Sequence, residues 1–424
     1  MKHAILVGAI TILLGLPMSV QAQLKPRADA FPPVAEELSS KAVQMATTVE
    51  QMASWDRYPT YSVYLEMMQR WVDSFPTLCH IDTIGTSIQG RLILSMYIQV
   101  QTDDDLYRPE FFYSSTIHGD EVTGYVMMLR LIDTLLHGYG SNPQYTQLIN
   151  RTRISINPLA NPDGTYYRGN NNIQWSRRYN ANNVDLNRNY PDPFSSTKEP
   201  LQPENEAMIA YVSAHNFRLS ANLHGGAEVM NYPWDSFTSS QNPHPCTDWW
   251  VDVCRRFVDT SRAYNANHFT DTYPCGYTEG GDWYVISGGR QDYMNAAMGC
   301  LEVTMEVSSD KTLSSNRLPE YWHFLQHPLV NYIAEIHNLP GSNGIADIGI
   351  ATPDIEVYPN PASHSVVLRG CTVGHNVALC DITGRELRRF EVDNTTITLN
   401  ISDLPAGIFI VRCEGKAVKF VKQQ

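Results

Sequence analysis

The chain has 424 residues, 43% hydrophobic and 18% charged, a composition that supports a large core and excludes a disordered polymer. Its 31 basic and 44 acidic residues leave a net charge of -13, which excludes broad attraction to nucleic acid or an anionic membrane and favours a positively charged substrate. Eight cysteines are too few for a disulfide-built fold, and the length predicts two domains or one large domain with an appendage.

Lys2 precedes an apolar run from Ala4 to Leu16. That run suits a signal peptide and is too short to cross a bilayer, which takes about 20 residues. Val20-Gln21-Ala22 forms a small-x-small cleavage site, so residues 1–22 read as an export signal and Gln23 as the new terminus. Removing them takes away only Lys2 among the charges, so the acidity belongs to the mature protein. Residues 23–53, with Pro32-Pro33 and a modest helical pattern, read as an N-terminal arm or pro-region.

Residues 54–337 alternate strand-like apolar runs with amphipathic stretches, as in Phe111–Ile117 followed by Val122–Leu136. This predicts an α/β domain whose mixed, mainly parallel sheet is flanked by helices. A Pro/Gly-containing stretch beginning at Asn338 marks a linker over 338–352. In 353–424 the pattern changes to short strands, Ser365–Leu368, Val377–Asp381, Ile397–Ile401 and Gly407–Arg412, punctuated by Thr383-Gly384 and Pro405-Ala406-Gly407. This second region reads as a small all-β sandwich.

The chemistry begins at His118-Gly-Asp-Glu121, where the Phe111–Ile117 strand gives way to a helix. Ligands in open α/β sheets gather at such strand ends, although an HxxE pair alone is a weak signal and better fits a solvated turn. His224 ends another strand-like run, Phe217–Leu223, and precedes Gly225-Gly226, which permit close backbone approach. Two histidines and a glutamate form a catalytic zinc set with one coordination position left for water.

Several separated motifs in order carry a resemblance to the zinc metallocarboxypeptidase family over roughly residues 55–336. They are His118-x-x-Glu121, Asn161-Pro-Asp-Gly164, Asp185-Leu-Asn-Arg-Asn-Tyr190, Leu223-His-Gly-Gly226, Trp283-Tyr284 before Gly288-Gly289, and Leu301-Glu-Val-Thr-Met-Glu306. The regulatory N/E branch is the nearest in pattern, since Arg178 precedes Arg188 by ten residues as that branch requires. The resemblance implies one Zn2+ held by His118, Glu121 and His224, with Asp185 orienting the first histidine and Glu306 as general base. Glu302 would share a strand face with Glu306, and only the family spacing of 22 residues beyond Tyr284 selects Glu306. The resemblance further implies that Arg178 stabilises the oxyanion and that Asn187, Arg188 and Tyr284 hold a C-terminal carboxylate, making the enzyme an exopeptidase.

In basic-specific members an Asp lies eleven residues after the third ligand, and Asp235 occupies that place, with Gln291 as its polar partner. The implied substrates are peptides or proteins ending in Lys or Arg, because a buried carboxylate calls for a cationic partner. Arg290 departs from the branch pattern and, turned inward, would neutralise Asp235. An exposed loop Asp in the turn at Pro233 is the alternative reading.

The tail does not match the transthyretin-like sandwich usual in this branch. Val357-Tyr-Pro-Asn-Pro361, Asp381-Ile-Thr-Gly-Arg385, Leu404-Pro-Ala-Gly407 and the basic end Lys416–Lys422 resemble the C-terminal sorting domain of the type IX secretion system. That implies the outer-membrane secretion machinery as a partner and a secreted or surface-attached protein of a Gram-negative bacterium. Five cysteines fall in the first domain and three in the tail, odd counts that fix no connectivity. Two other functions fit less well: a carboxypeptidase of different specificity, including for cell-wall peptides, and an inactive surface binding protein on the same fold.

Overall fold

The computed structural model describes residues 43–100, 108–195, 200–340 and 356–423, except 370, 372, 382–384, 395, 414 and 415. The export signal, arm residues 23–42 and linker residues 341–352 lie outside the described residues. Arm residues 43–53 pack onto the first domain: Met45–Ala46 pairs in parallel with Tyr58–Pro59, and Ala46 and Met52 are buried in its core.

Eight strands form the main sheet: β1 (Cys79–Thr86), β2 (Leu92–Ile98), β3 (Glu110–Ser115), β4 (Arg153–Asn157), β5 (Phe217–His224), β6 (Ala227–Tyr232), β7 (Tyr277–Glu279) and β8 (Leu301–Ser308). Their spatial order is β1-β2-β4-β3-β5-β8-β6-β7. The central strands β4, β3, β5 and β8 run parallel, while β1, β2 and β6 join antiparallel neighbours. Every residue of β3 is buried, as expected of a strand covered on both faces.

The helices supply that cover. Helix α1 (Tyr61–Ser74) starts where Thr60 Oγ1 accepts the Val63 N–H, and it buries Tyr64, Met67, Met68 and Trp71, a stripe at helical spacing. Helix α2 (Thr123–Gly138) buries eleven residues including Tyr125, Leu129 and Ile132, so it lies within the core rather than over it. No described helix is long and apolar enough to cross a membrane.

From β3 the chain passes through α2 to β4 on one side, and later returns to β5 on the other side of β3. Connections therefore diverge at the carboxyl ends of β3 and β5, leaving a crevice there. The expected strand Phe111–Ile117 stops at Ser115 because Thr116 turns the backbone, with φ 64. A β-branched residue seldom adopts that region, and the turn delivers His118 to the crevice.

The C-terminal region contains β9 (Glu356–Tyr358), β10 (Ser365–Arg369), β11 (Asn376–Asp381), β12 (Glu386–Glu391), β13 (Thr396–Asn400), β14 (Gly407–Cys413) and β15 (Lys416–Lys422). They make two antiparallel sheets, β9-β10-β13 and β12-β11-β14-β15. Val366, Leu368 and Leu399 of one sheet share a core with Val377, Leu379, Phe409, Val411 and Phe420 of the other. Strands β12 and β15 were not among the expected strands because their charges mask the alternation, and both lie at sheet edges, where charge deters unwanted pairing.

Candidate active site

His118 and Glu121 lie on the connection after β3, and His224 is the last residue of β5. All three are buried, and one ligand atom from each lies within 4.8 Å of the others. His118 Nδ1 is 3.0 Å and His224 Nδ1 2.8 Å from Glu121 Oε2, and the two Nδ1 atoms are 3.1 Å apart. Gly119 makes this packing possible, since a Cβ there would lie 2.3 Å from the Gly164 carbonyl carbon.

On its far side each imidazole meets an oxygen. His118 Nε2 faces Asp185 Oδ1 at 3.2 Å, and His224 Nε2 donates to Asn222 Oδ1. The Asn222 amide is oriented by its own donation to Glu302 Oε1 at 3.1 Å and Thr304 Oγ1 at 3.2 Å. With each Nε2 turned to an oxygen on its far side, both Nδ1 atoms and Glu121 Oε2 face one point. Two imidazoles with a carboxylate are a donor set suited to zinc. The residues therefore fit the metal.

Asp185 ties the neighbouring turn to this cluster. Its Oδ1 also accepts the Asn187 N–H at 2.9 Å, and its Oδ2 takes the Arg178 Nε at 2.9 Å and an Nη at 2.8 Å. Arg178 Nη1 lies 3.2 Å from His118 Nδ1. Burial pushes Asp185 up, but His118, Arg178 and Arg188 outweigh it and hold the carboxyl well below its usual range. Glu121 behaves similarly, with burial outweighed by His118, Lys311 and His224. Lys311 Nζ approaches Glu121 Oε1 at 3.3 Å.

On β8, Glu306 stands opposite His224 in the parallel register and opposite Val229 of β6, fully buried beside the cluster. Tyr284, half-buried, packs with Ala227 and Val229 at the same level. Glu302 lies deeper and has other partners: Arg290 Nε at 3.0 Å, Ser220 Oγ at 2.8 Å and Asn222 Nδ2 at 3.1 Å. The Arg290 guanidinium, 5.0 Å above the Phe112 ring, is thus held by Glu302 and makes no hydrogen bond to Asp235. Replacing Arg290 with Met strands a buried carboxylate, so a loss of about 3 kcal/mol in denaturant-measured stability is expected. A change below about 0.5 kcal/mol would refute that account.

Asp235 is only 4% exposed, contrary to a solvated turn. Gln291 Nε2 donates to its Oδ1 at 3.0 Å, and Asp292 Oδ1 accepts its backbone N–H at 2.8 Å. Gly280 leaves the pocket open, because a Cβ there would sit 2.0 Å from Asp235 Oδ1. Nearby, Asn187 Oδ1 accepts the Arg290 N–H at 2.9 Å, and Arg188 Nη1 donates to the Asn187 carbonyl at 2.9 Å. The named residues thus gather in two places, around the His118 cluster and around Asp235.

Sequence reasoning missed Asn222, whose signal was its period-two spacing from His224 on one strand face, and Asp292, which gave none. It also missed Glu279, a buried acid at the end of β7 whose carboxyl burial and Asp282 push up to about 7. With its folded pKa raised above the ordinary 4.5, its contribution to stability is full below about pH 4.5 and is lost as pH rises through about 7. Glu279→Gln is expected to raise stability at pH 8 by on the order of 1 kcal/mol and leave it unchanged near pH 4. Equal shifts in melting temperature at both pH values would contradict this.

Comparison with known proteins agrees with the geometry. Residues 64–326 match the family model described as zinc carboxypeptidase, and 356–424 that of the secretion system C-terminal sorting domain. Carboxypeptidase D of Mus musculus is 33% identical over 66% of this chain but 21% of its own length, so the chain spans about a fifth of that relative. Carboxypeptidase M of Mus musculus is 34% identical over 71% of this chain and 70% of its own. Thrombin activatable fibrinolysis inhibitor shares the fold at TM-score 0.59 and 15% identity, covering 69% of this chain and 78% of its own. The carboxypeptidase A of Helicoverpa armigera does so at TM-score 0.57 and 19% identity, covering 69% and 76%. Six spaced motifs, a converging histidine-glutamate-histidine cluster and a match over most of the first domain have one reading: this chain belongs to the zinc carboxypeptidase family, in its regulatory N/E branch, with a secretion sorting domain appended.

Proposed function

We propose that the protein is an exported, zinc-dependent exopeptidase that hydrolyses the last peptide bond of peptides and proteins and releases Lys or Arg. The observation that carries this reading is the convergence of the His118 and His224 Nδ1 atoms and the Glu121 carboxylate on one point. His118, Glu121 and His224 would hold the metal, and Asp185 and Asn222 keep the two rings in the required tautomer. When bound, zinc supplies a Lewis acid that polarises the scissile carbonyl and acidifies water.

The chain's own groups then divide the work. Glu306 accepts the proton of the attacking water and passes it to the leaving amine. Arg178, fixed by Asp185, stabilises the negative charge that develops on the carbonyl oxygen. Asn187, Arg188 and Tyr284 hold the substrate's terminal carboxylate, an anion that internal peptide bonds lack. Asp235, oriented by Gln291, pairs with the cationic side chain of the last residue.

The division along the chain follows: an export signal over 1–22, an arm or pro-region over 23–53, a catalytic domain over 54–337, a linker over 338–352 and a sorting domain over 353–424. The sorting domain would direct the protein through the type IX outer-membrane machinery of a Gram-negative bacterium to the cell surface or medium. Purified protein is expected to bind one zinc and to hydrolyse peptides ending in Arg or Lys faster than those ending in Leu or Glu, with activity lost to chelator and restored by zinc. Release of leucine in preference to arginine would remove the basic specificity. Chelator-insensitive hydrolysis would remove the metal.

A further inference from the structure

Large exposed side chains are not scattered evenly over the first domain. Three of them, Tyr167, Trp175 and Tyr179, are 40%, 45% and 39% exposed and fall in one short segment that also carries Arg178. The segment is basic: residues 166–179 contain Arg168, Arg177 and Arg178 and no acid, in a chain of net charge -13. Its cations stack on its aromatics, Arg168 over Trp175 at 4.2 Å and Arg177 over Tyr167 at 3.9 Å. Arg168 is exposed, so its stacking keeps the guanidinium in place while leaving its edge open to an anion, whereas Arg177 is half-buried and donates an Nη to the Asn180 carbonyl.

Topology fixes where this surface lies. The Arg177 N–H bonds to the Gly164 carbonyl, just past β4, and the Arg178 carbonyl accepts the Gly119 N–H, just past β3. Asp235 follows β6, on the far side of β8. Across the sheet, in the order β4, β3, β5, β8 and β6, the aromatic-arginine rim therefore lies on the β4–β3 side and Asp235 on the β6 side, with the His118 cluster at the ends of β3 and β5 between them. Because β6 runs antiparallel to β8, Asp235 lies towards the amino end of β8 rather than at its carboxyl end. A peptide whose last residue occupies the Asp235 pocket crosses the cluster and leaves towards the rim.

Building on the carboxypeptidase reading, we propose that Tyr167, Arg168, Trp175, Arg177 and Tyr179 form a binding surface for the substrate chain upstream of the scissile bond, selective for acidic side chains there. Substrates would then pair an acidic upstream stretch with a basic last residue. The rim cations repel upstream Lys and Arg, whereas Asp235 attracts them only at the terminus.

The test compares hexapeptides ending in Ala-Arg that carry Glu or Lys at the upstream positions, together with a blocked Ala-Arg dipeptide that cannot reach the rim. Wild type is expected to favour the Glu series by about fivefold in kcat/KM. Arg168→Glu should reverse the preference and Trp175→Ala should reduce it towards unity, with dipeptide hydrolysis unchanged in both. A Glu-to-Lys ratio near one in wild type, or a ratio unaltered by Arg168→Glu, overturns the inference. Titration calorimetry of the same peptides on Glu306→Gln protein gives the ratio without turnover. A retained binding preference together with wild-type protein that hydrolyses none of the peptides would uphold the rim and reject the carboxypeptidase reading.

Discussion

Glu306→Gln is expected to lower kcat by about 10³-fold or more while leaving zinc content and peptide affinity nearly intact. Gln keeps the size of the side chain but cannot accept a proton from water or return one to the leaving amine, so both halves of the reaction lose their proton carrier. The residue is fully buried on β8 opposite His224, and the neighbouring Glu302 cannot take its place because Arg290, Ser220 and Asn222 already hold that carboxylate. Steady-state kinetics with metal analysis of the same preparation decides the matter. A fall in activity that tracks lost zinc would make Glu306 a structural support of the site rather than its base.

Asp235→Ala should reduce kcat/KM for peptides ending in Arg or Lys by about 10²-fold, because a buried cation left without its partner carries most of the cost. Peptides ending in Leu should change by less than about threefold, since an apolar side chain gains nothing from the carboxylate. The pocket is built for this contrast: Gln291 orients Asp235, Gly280 leaves space before it, and Arg290 is occupied elsewhere. Equal losses on Arg and Leu substrates would show that Asp235 shapes the pocket without reading its charge.

The two predictions rest on different interactions and therefore separate class from specificity. Failure of the second leaves a carboxypeptidase of other preference, whereas failure of the first questions the proton path itself. Both concern side chains on or directly after strands of one sheet, held in place by packing on both faces.

By itself, the amino-acid sequence determined the fold class and the family and singled out the groups of the candidate site, because strand-helix alternation and ordered motifs are local patterns that survive in one dimension. His118 and Glu121 were visible as a short-range pair, and His224 as the end of an apolar run. It did not determine what Arg290 does, since an arginine beside a pocket acid can turn either way until a competing carboxylate is placed. Only tertiary structure brought Glu302 from a neighbouring strand to hold it. Folding likewise supplied the far-side partners of the two histidines, Asp185 and Asn222, one of them 67 residues from its ring. Edge strands Glu386–Glu391 and Lys416–Lys422 escaped notice for a related reason: an edge position tolerates charge, and edge status is a property of the assembled sheet. Residue type and order are carried by the chain alone, but which groups satisfy one another in a low-dielectric interior depends on long-range pairing that no local pattern encodes.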